Sequence, residues 1–289
     1  MTTWVDGYWW SKDGLRLHYR DYAGSDPARP PILCIPGLTR NARDFADVAA
    51  RLAGDWRLIC VDLRGRGESA YAKDPMSYVP LTYLHDLEAL LAELALDRFV
   101  LFGTSLGGML SALIASAGRE RVAGVLLNDI GPAIEPAGLT RIRTYVGKSG
   151  SFPTWMHAAR ALAEVHGAAH PEAGIEAWLA MAKRLCRITP AGRIVHDYDM
   201  KLAEPLRVPG GESGFDMWPA FEALGHRPAV LLRGAHSDLL SAATAAEMAR
   251  RIAGLEVVTV ASAGHAPTLD EPESVAAIDR LLGRVAAGG

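Results

Sequence analysis

Phe99-Val100-Leu101-Phe102-Gly103-Thr104-Ser105-Leu106-Gly107 is the stretch on which the reading of this 289-residue chain turns. Four apolar residues without alternation predict a strand covered on both faces. They run directly into Gly-x-Ser-x-Gly and then into an Ala/Leu/Met-rich helical pattern carrying Met109, Leu110, Leu113 and Ile114. A strand that enters a helix through so short a turn leaves no room for side chains at the glycines. It holds the serine hydroxyl exposed at the end of the sheet. The bare pattern is weak, because Gly and Ser populate any turn, and a helix start packed against a strand would look the same. The flanks are what make Ser105 a candidate nucleophile.

Similar runs lie on either side. Ile32-Leu33-Cys34-Ile35, Leu58-Ile59-Cys60-Val61, Val125-Leu126-Leu127, Ala229-Val230-Leu231-Leu232 and Val257-Val258-Thr259-Val260 all read as buried strands. Helical spacing separates them, as in Leu84, Leu87, Leu91 and Leu94 or Val275, Ile278 and Leu282. Strand and helix in alternation predict an α/β fold with a doubly wound, mostly parallel central sheet. An alternating segment at Leu15–Tyr19, preceded by Lys12-Asp13-Gly14, predicts an opening hairpin. The alternation of strand and helix breaks between Pro132 and Pro219, where helical segments are punctuated by Gly and Pro. The expected organisation is a core of residues 1–131 and 220–289 with a helical cap inserted at 132–219.

Composition narrows the function classes. With 49% hydrophobic and 22% charged residues the chain reads as an ordinary globular protein with a sizeable core. A net charge of -3 and no basic block disfavour nucleic acid as a partner. The opening residues lack a basic run followed by an apolar core, and no stretch reaches the roughly 18 apolar residues of a membrane span. A cytoplasmic protein acting on a small molecule, without a membrane partner, is expected, and the oligomeric state is not legible. The three cysteines, Cys34, Cys60 and Cys186, show no CxxC spacing, so neither a disulfide framework nor a metal site is expected, and no cofactor. Cys34 and Cys60, inside apolar runs, read as small buried residues.

A serine at its ordinary pKa needs a base, and nine histidines compete for that role. His265, in Ala263-Gly264-His265-Ala266-Pro267, follows the last strand run and precedes the final helix. With Gly103–Gly107, this loop makes the chain resemble the α/β-hydrolase superfamily, its capped serine branch of bacterial esterases, enol-lactonases and C–C bond hydrolases in particular. The resemblance implies the chain order nucleophile, acid, histidine. Ser105 and His265 fill the outer places. Asp238, in Arg233-Gly234-Ala235-His236-Ser237-Asp238 after a strand run, is the first candidate for the acid, and Asp129, ending the run at Val125–Asn128, is the alternative. Backbone N–H groups of Leu106 and of Leu38, in Pro36-Gly37-Leu38, are the expected oxyanion donors. Asp62-Leu63-Arg64-Gly65-Arg66-Gly67 matches no phosphate-loop spacing and reads as a brace between loops.

A serine rather than an aspartate at the elbow argues against alkyl-enzyme chemistry and for acyl transfer. The expected activity is hydrolysis of a small, largely apolar carboxylic ester or lactone. A C–C hydrolase of a vinylogous β-diketone and a ligand receptor without turnover are the alternatives. Most of Tyr145, Phe152, Trp155, Trp178 and Trp218 are expected to pack the cap itself and some to line the pocket, while Arg141, Arg143 and Lys148 read as solvated surface charge first and as carboxylate-recognising groups second.

Overall fold

The computed structural model describes residues 3–208 and 216–288. Its elements run β1 (Val5–Trp10), β2 (Arg16–Tyr22), β3 (Ile32–Ile35), α1 (Ala46–Leu52), β4 (Leu58–Asp62), α2 (Pro80–Glu93), β5 (Phe99–Thr104), α3 (Leu106–Ala117) and β6 (Val122–Asn128). There follow α4 (Pro136–Tyr145), β7 (Ser151–Phe152), α5 (Trp155–His166), α6 (Ile175–Leu185), β8 (Cys186–Ile188) and β9 (Ile194–His196). The chain closes with α7 (Trp218–Glu222), β10 (Ala229–Gly234), α8 (Ala242–Arg251), β11 (Leu255–Val260) and α9 (Pro272–Ala287).

Eight strands form one sheet in the order β1-β2-β4-β3-β5-β6-β10-β11. The pairs from β4 through β11 are parallel, whereas β2 runs antiparallel to both of its neighbours. Every residue of β3, β4, β5 and β6 is buried, which is why these strands read as unbroken apolar runs. Successive side chains go to opposite faces. Leu33, Ile35, Leu101 and Leu127 pack with Leu87 and Leu90 of α2 and Leu110 of α3 on one side. Ile32, Cys34, Phe102 and Leu126 pack with Val48 of α1 and Ile278 and Leu281 of α9 on the other. The doubly wound arrangement follows from that division.

The strand order reverses between β3 and β5. Loops leaving the carboxyl ends of these two strands therefore diverge, and the crevice between them is where such sheets bind ligands. The segment expected to be purely helical contains, besides α4, α5 and α6, a three-stranded antiparallel sheet in the order β7-β9-β8. Strands of two or three residues are too short to show alternation, so they left no sequence signal. This segment has its own core, built from Ala158, Ala159 and Leu162 of α5 and Trp178, Met181 and Ala182 of α6. Residues 209–215 of the expected insertion lie outside the described residues. No helix among the described residues is long and apolar enough to cross a membrane. All three cysteines are free and buried.

Candidate active site

Ser105 stands between β5 and α3 with φ 52° and ψ -115°, a conformation that costs about 1–3 kcal/mol for a residue with a side chain. Packing enforces it. A Cβ on Gly107 would come within 1.9 Å of the Ile35 carbonyl oxygen, and one on Gly103 within 2.5 Å of the Gly107 backbone. Only glycine at both places lets the turn close against β3. The Ser105 N–H donates to the Asn128 carbonyl at 2.9 Å, which ties the turn to the end of β6.

His265 reaches the serine from the loop after β11, with Nε2 2.9 Å from Ser105 Oγ. Glu271 shapes that loop by accepting from the N–H groups of Thr268 and Leu269 and from the Ser274 hydroxyl. The Asn128 side-chain amide donates to the Pro267 carbonyl at 2.9 Å, joining the histidine loop to β6. On the other side of the ring, Nδ1 lies 2.7 Å from Asp129 Oδ2. Asp129 is fully buried and also accepts from the Gly234 N–H at 2.8 Å and the Ser237 hydroxyl at 2.5 Å. A carboxylate that accepts from three donors fixes the tautomer: Nδ1 carries the proton and Nε2 is left to accept from serine.

The expectation that Asp238 holds the histidine is corrected. Both Asp238 oxygens are engaged by Arg141 of α4, with Nε at 2.5 Å and Nη2 at 2.8 Å. This bidentate bond to Arg141 holds the Asp238 carboxyl below the usual carboxylate range. The reason lies in the sheet. β6 adjoins β5, so the residue after β6 stands next to the serine, whereas Asp238 sits beyond a turn after β10 that aims it at the inserted segment. Ser237, one residue earlier, is the group of that turn that touches Asp129.

Leu38 and Leu106 both border the cleft that holds Ser105 and His265. Leu106 is the first residue of α3, where a backbone N–H has no partner within the helix. Buried Arg66 donates to the Leu38 carbonyl at 2.8 Å and fixes the loop after β3. The surrounding motif braces this end of the sheet. Asp62 accepts from the Ala42 N–H at 2.6 Å and the His18 ring at 2.7 Å, and Arg64 makes two 2.7 Å bonds to Asp86.

Of the residues considered for the wall, Tyr145 borders the cleft that holds Ser105 and His265, and Phe152 an adjoining cavity of about 380 Å³. Trp178 packs the core of the segment between β6 and β10 and also borders a second cavity of about 350 Å³ that shares Arg184 and Thr268 with the cleft. Trp155 packs that same core, and Trp218 lies against the main core under the Arg251 guanidinium, 4.1 Å from its ring. Sequence reading missed Ile142, His166, Leu185, Arg40 and Arg184 in the cleft wall. Tyr145 and His166 meet edge to face at 5.0 Å and line both the cleft and the cavity. Burial, with the charges of Arg40 and Arg141 adding to it, pushes the His166 pKa down to about 3, so the ring is neutral across the working pH range.

A serine on a strand–helix elbow, a histidine on the last loop and a buried aspartate at a neighbouring strand end define a hydrolase of the α/β type. Residues 32–278 match the model of the alpha/beta hydrolase family, and the chain belongs to that family. It is 36% identical over 271 residues to 3-hydroxybutyrate-oligomer hydrolase of Cupriavidus necator, with 90% of each chain covered. It shares 28% identity over 244 residues with 2-(acetamidomethylene)succinate hydrolase of Mesorhizobium japonicum, covering 84% of each. An alpha/beta hydrolase structure from Novosphingobium aromaticivorans superposes with a TM-score of 0.94 at 59% identity, covering 98% of this chain and 99% of that one.

Proposed function

We propose that the protein is a serine hydrolase that cleaves small carboxylic esters through an acyl-enzyme on Ser105. The observation that carries this reading is the unbroken relay from Ser105 Oγ through His265 to Asp129, at 2.9 and 2.7 Å. In the first half-reaction Nε2 of His265 takes the serine proton as Oγ attacks the ester carbonyl. Asp129 keeps the imidazolium oriented, and the Leu38 and Leu106 amides receive the oxyanion. The imidazolium then gives its proton to the departing alkoxide, leaving an acyl-serine. Water repeats the sequence, with His265 as base again, and releases the acid.

The segment between β6 and β10 acts in this reading as a cap. Ile142, Tyr145, His166 and Leu185 come from it and meet Ser105 and His265 across the cleft. The cleft wall mixes apolar side chains such as Ile142 and Leu185 with polar ones, and the adjoining cavity, bordered by Phe152, Leu162 and Val165, gives room for a short aliphatic tail. The Cupriavidus relative supports an ester rather than a C–C bond, since hydroxybutyrate oligomers are joined by ester linkages. Linear dimers and trimers of 3-hydroxybutyrate are accordingly the first substrates to try, beside p-nitrophenyl esters, a lactone and a dienone acid. Ser105→Ala should lower kcat on the order of 10⁴ to 10⁶ and abolish labelling by a fluorophosphonate. Retention of most activity by that variant would sink the proposal.

A further inference from the structure

Of Arg141, Arg143 and Lys148, which read either as solvated charge or as carboxylate-recognising cations, Arg141 is committed to Asp238. Another cation stands closer to the chemistry. Arg40 leaves the loop after β3 and borders the cleft with Ser105 and His265. A Cβ placed on Gly37 would lie 3.4 Å from Arg40 Cγ and 3.7 Å from Ser105 Cβ, so the base of the arginine side chain and the serine flank one spot.

The Arg40 side chain is 19% exposed and, among the described residues, makes a single hydrogen bond, from Nη1 to Asp44 at 3.2 Å. A guanidinium carries five N–H donors in a rigid fork, so one long, monodentate contact leaves most of its capacity unspent in a low-dielectric cleft. Arg184 borders the same cleft; it bonds Asp47 through Nη1 at 2.5 Å, while its buried Nε has no partner among the described residues. Among the described residues, then, two guanidiniums and one carboxylate, Asp44, line the wall. His166, across the same cleft, is a neutral ring, because burial and then the field of Arg40 hold its pKa down to about 3.

We propose that Arg40 anchors a free carboxylate of the substrate, so that the enzyme selects esters whose own chain bears an anionic end near the scissile bond. This rests on the reading of Ser105 as the acyl acceptor and deepens it by naming the substrate class: monoesters of diacids or O-acyl hydroxy acids in preference to neutral esters of the same length. Asp44 holds one edge of the guanidinium and the carboxylate takes the other in the forked geometry arginine offers.

Two substrate pairs test it on the full chain. One is 3-(butyryloxy)butyric acid against its methyl ester, with the carboxylate on the alcohol side. The other is p-nitrophenyl hydrogen glutarate against its methyl ester, with the carboxylate on the acyl side. The quantity read is the ratio of kcat/KM for the acid to that for its neutral partner. The wild-type protein should favour the acid in at least one pair, and Arg40→Leu should lower that ratio by about 10- to 100-fold. Arg40→Lys, which keeps the charge and loses the fork, should fall between. If Arg40→Leu does not fold, Arg40→Gln provides the same reading. An unchanged ratio in both pairs overturns the proposal, as does a wild-type protein indifferent to the carboxylate. Should the wild type turn over no member while a fluorophosphonate still labels Ser105, the anchor fails and the acyl-serine reading stands. Absence of labelling would sink that reading itself.

Discussion

Two aspartates stand just beyond buried strands of the same sheet, and they end in opposite circumstances. Asp129 follows β6, is fully buried and accepts from a ring nitrogen, a backbone amide and a hydroxyl. Asp238 lies in the turn after β10 with its side chain 32% exposed, and both of its oxygens face the Arg141 fork. Either satisfies the chain order serine, acid, histidine. What separates them is adjacency in the sheet and the company each keeps: β6 borders the serine's strand, and an arginine from the inserted segment claims the other carboxylate. A carboxylate aimed at imidazole from a dry site orients a base, whereas one paired with arginine at a rim joins two parts of the fold.

That contrast breaks or stands first on Asp129. Asp129→Asn keeps the shape of the side chain but places a donor where Nδ1–H must donate, favouring the wrong tautomer. Its kcat should fall by about 10⁴, by analogy with the same change in other triads. Stability should fall as well, because the Gly234 amide and the Ser237 hydroxyl lose an anionic acceptor. Burst kinetics at saturating substrate, with folding checked by circular dichroism, would separate the two effects. A variant with near wild-type kcat would reverse the roles assigned to the two aspartates.

Asp238→Asn should do the opposite. Turnover of a neutral ester should stay close to wild type, and unfolding in urea should show a loss of about 1 kcal/mol or less. The pair is partly exposed, so solvent and salt screen it. Arg141→Met should produce a similar loss, and the double variant should add little to either, since both single changes break one interaction.

Much of this was legible in the sequence, and the limits have physical causes. Strands buried on both faces announce themselves as apolar runs, and the elbow glycines are required by close backbone contacts, Gly107 with β3 and Gly103 with the start of α3, so β3–β6, β10, Ser105 and the placement of His265 were all readable. Asp129 was visible as a candidate, but strand order, which decides between it and Asp238, is not written in any local pattern. Which aromatics of the segment between β6 and β10 face the cleft was not legible for a related reason. A small segment must bury something of its own, and Trp155 and Trp178 serve that core, leaving the cleft wall to Ile142, His166 and Leu185. Arg40 was missed because nothing in Pro36-Gly37-Leu38-Thr39-Arg40 distinguishes a solvated arginine from one that borders a cleft.

The smallest effect expected is also the one that distinguishes the two aspartates without reference to turnover. Arg141 holds the Asp238 carboxyl below its ordinary range, and hence below its value of about 3.9 in the unfolded chain. A carboxyl depressed on folding contributes stability that is fully present above the unfolded pKa and disappears as the pH falls through the folded one. The difference in melting temperature between wild type and Asp238→Asn should therefore stay level from neutrality to about pH 5, then close as the pH drops below about 4. The activity of Asp238→Asn on a neutral ester should stay near the wild-type pH profile, with at most a small displacement from the lost Asp238 charge, because the imidazole keeps its hydrogen bond to Asp129. If Asp238 instead held the histidine, the substitution would move that profile and depress kcat at every pH. A melting gap that fails to close in acid would remove the ion pair from the account of Asp238, and a strongly displaced profile would return Asp238 to the catalytic relay.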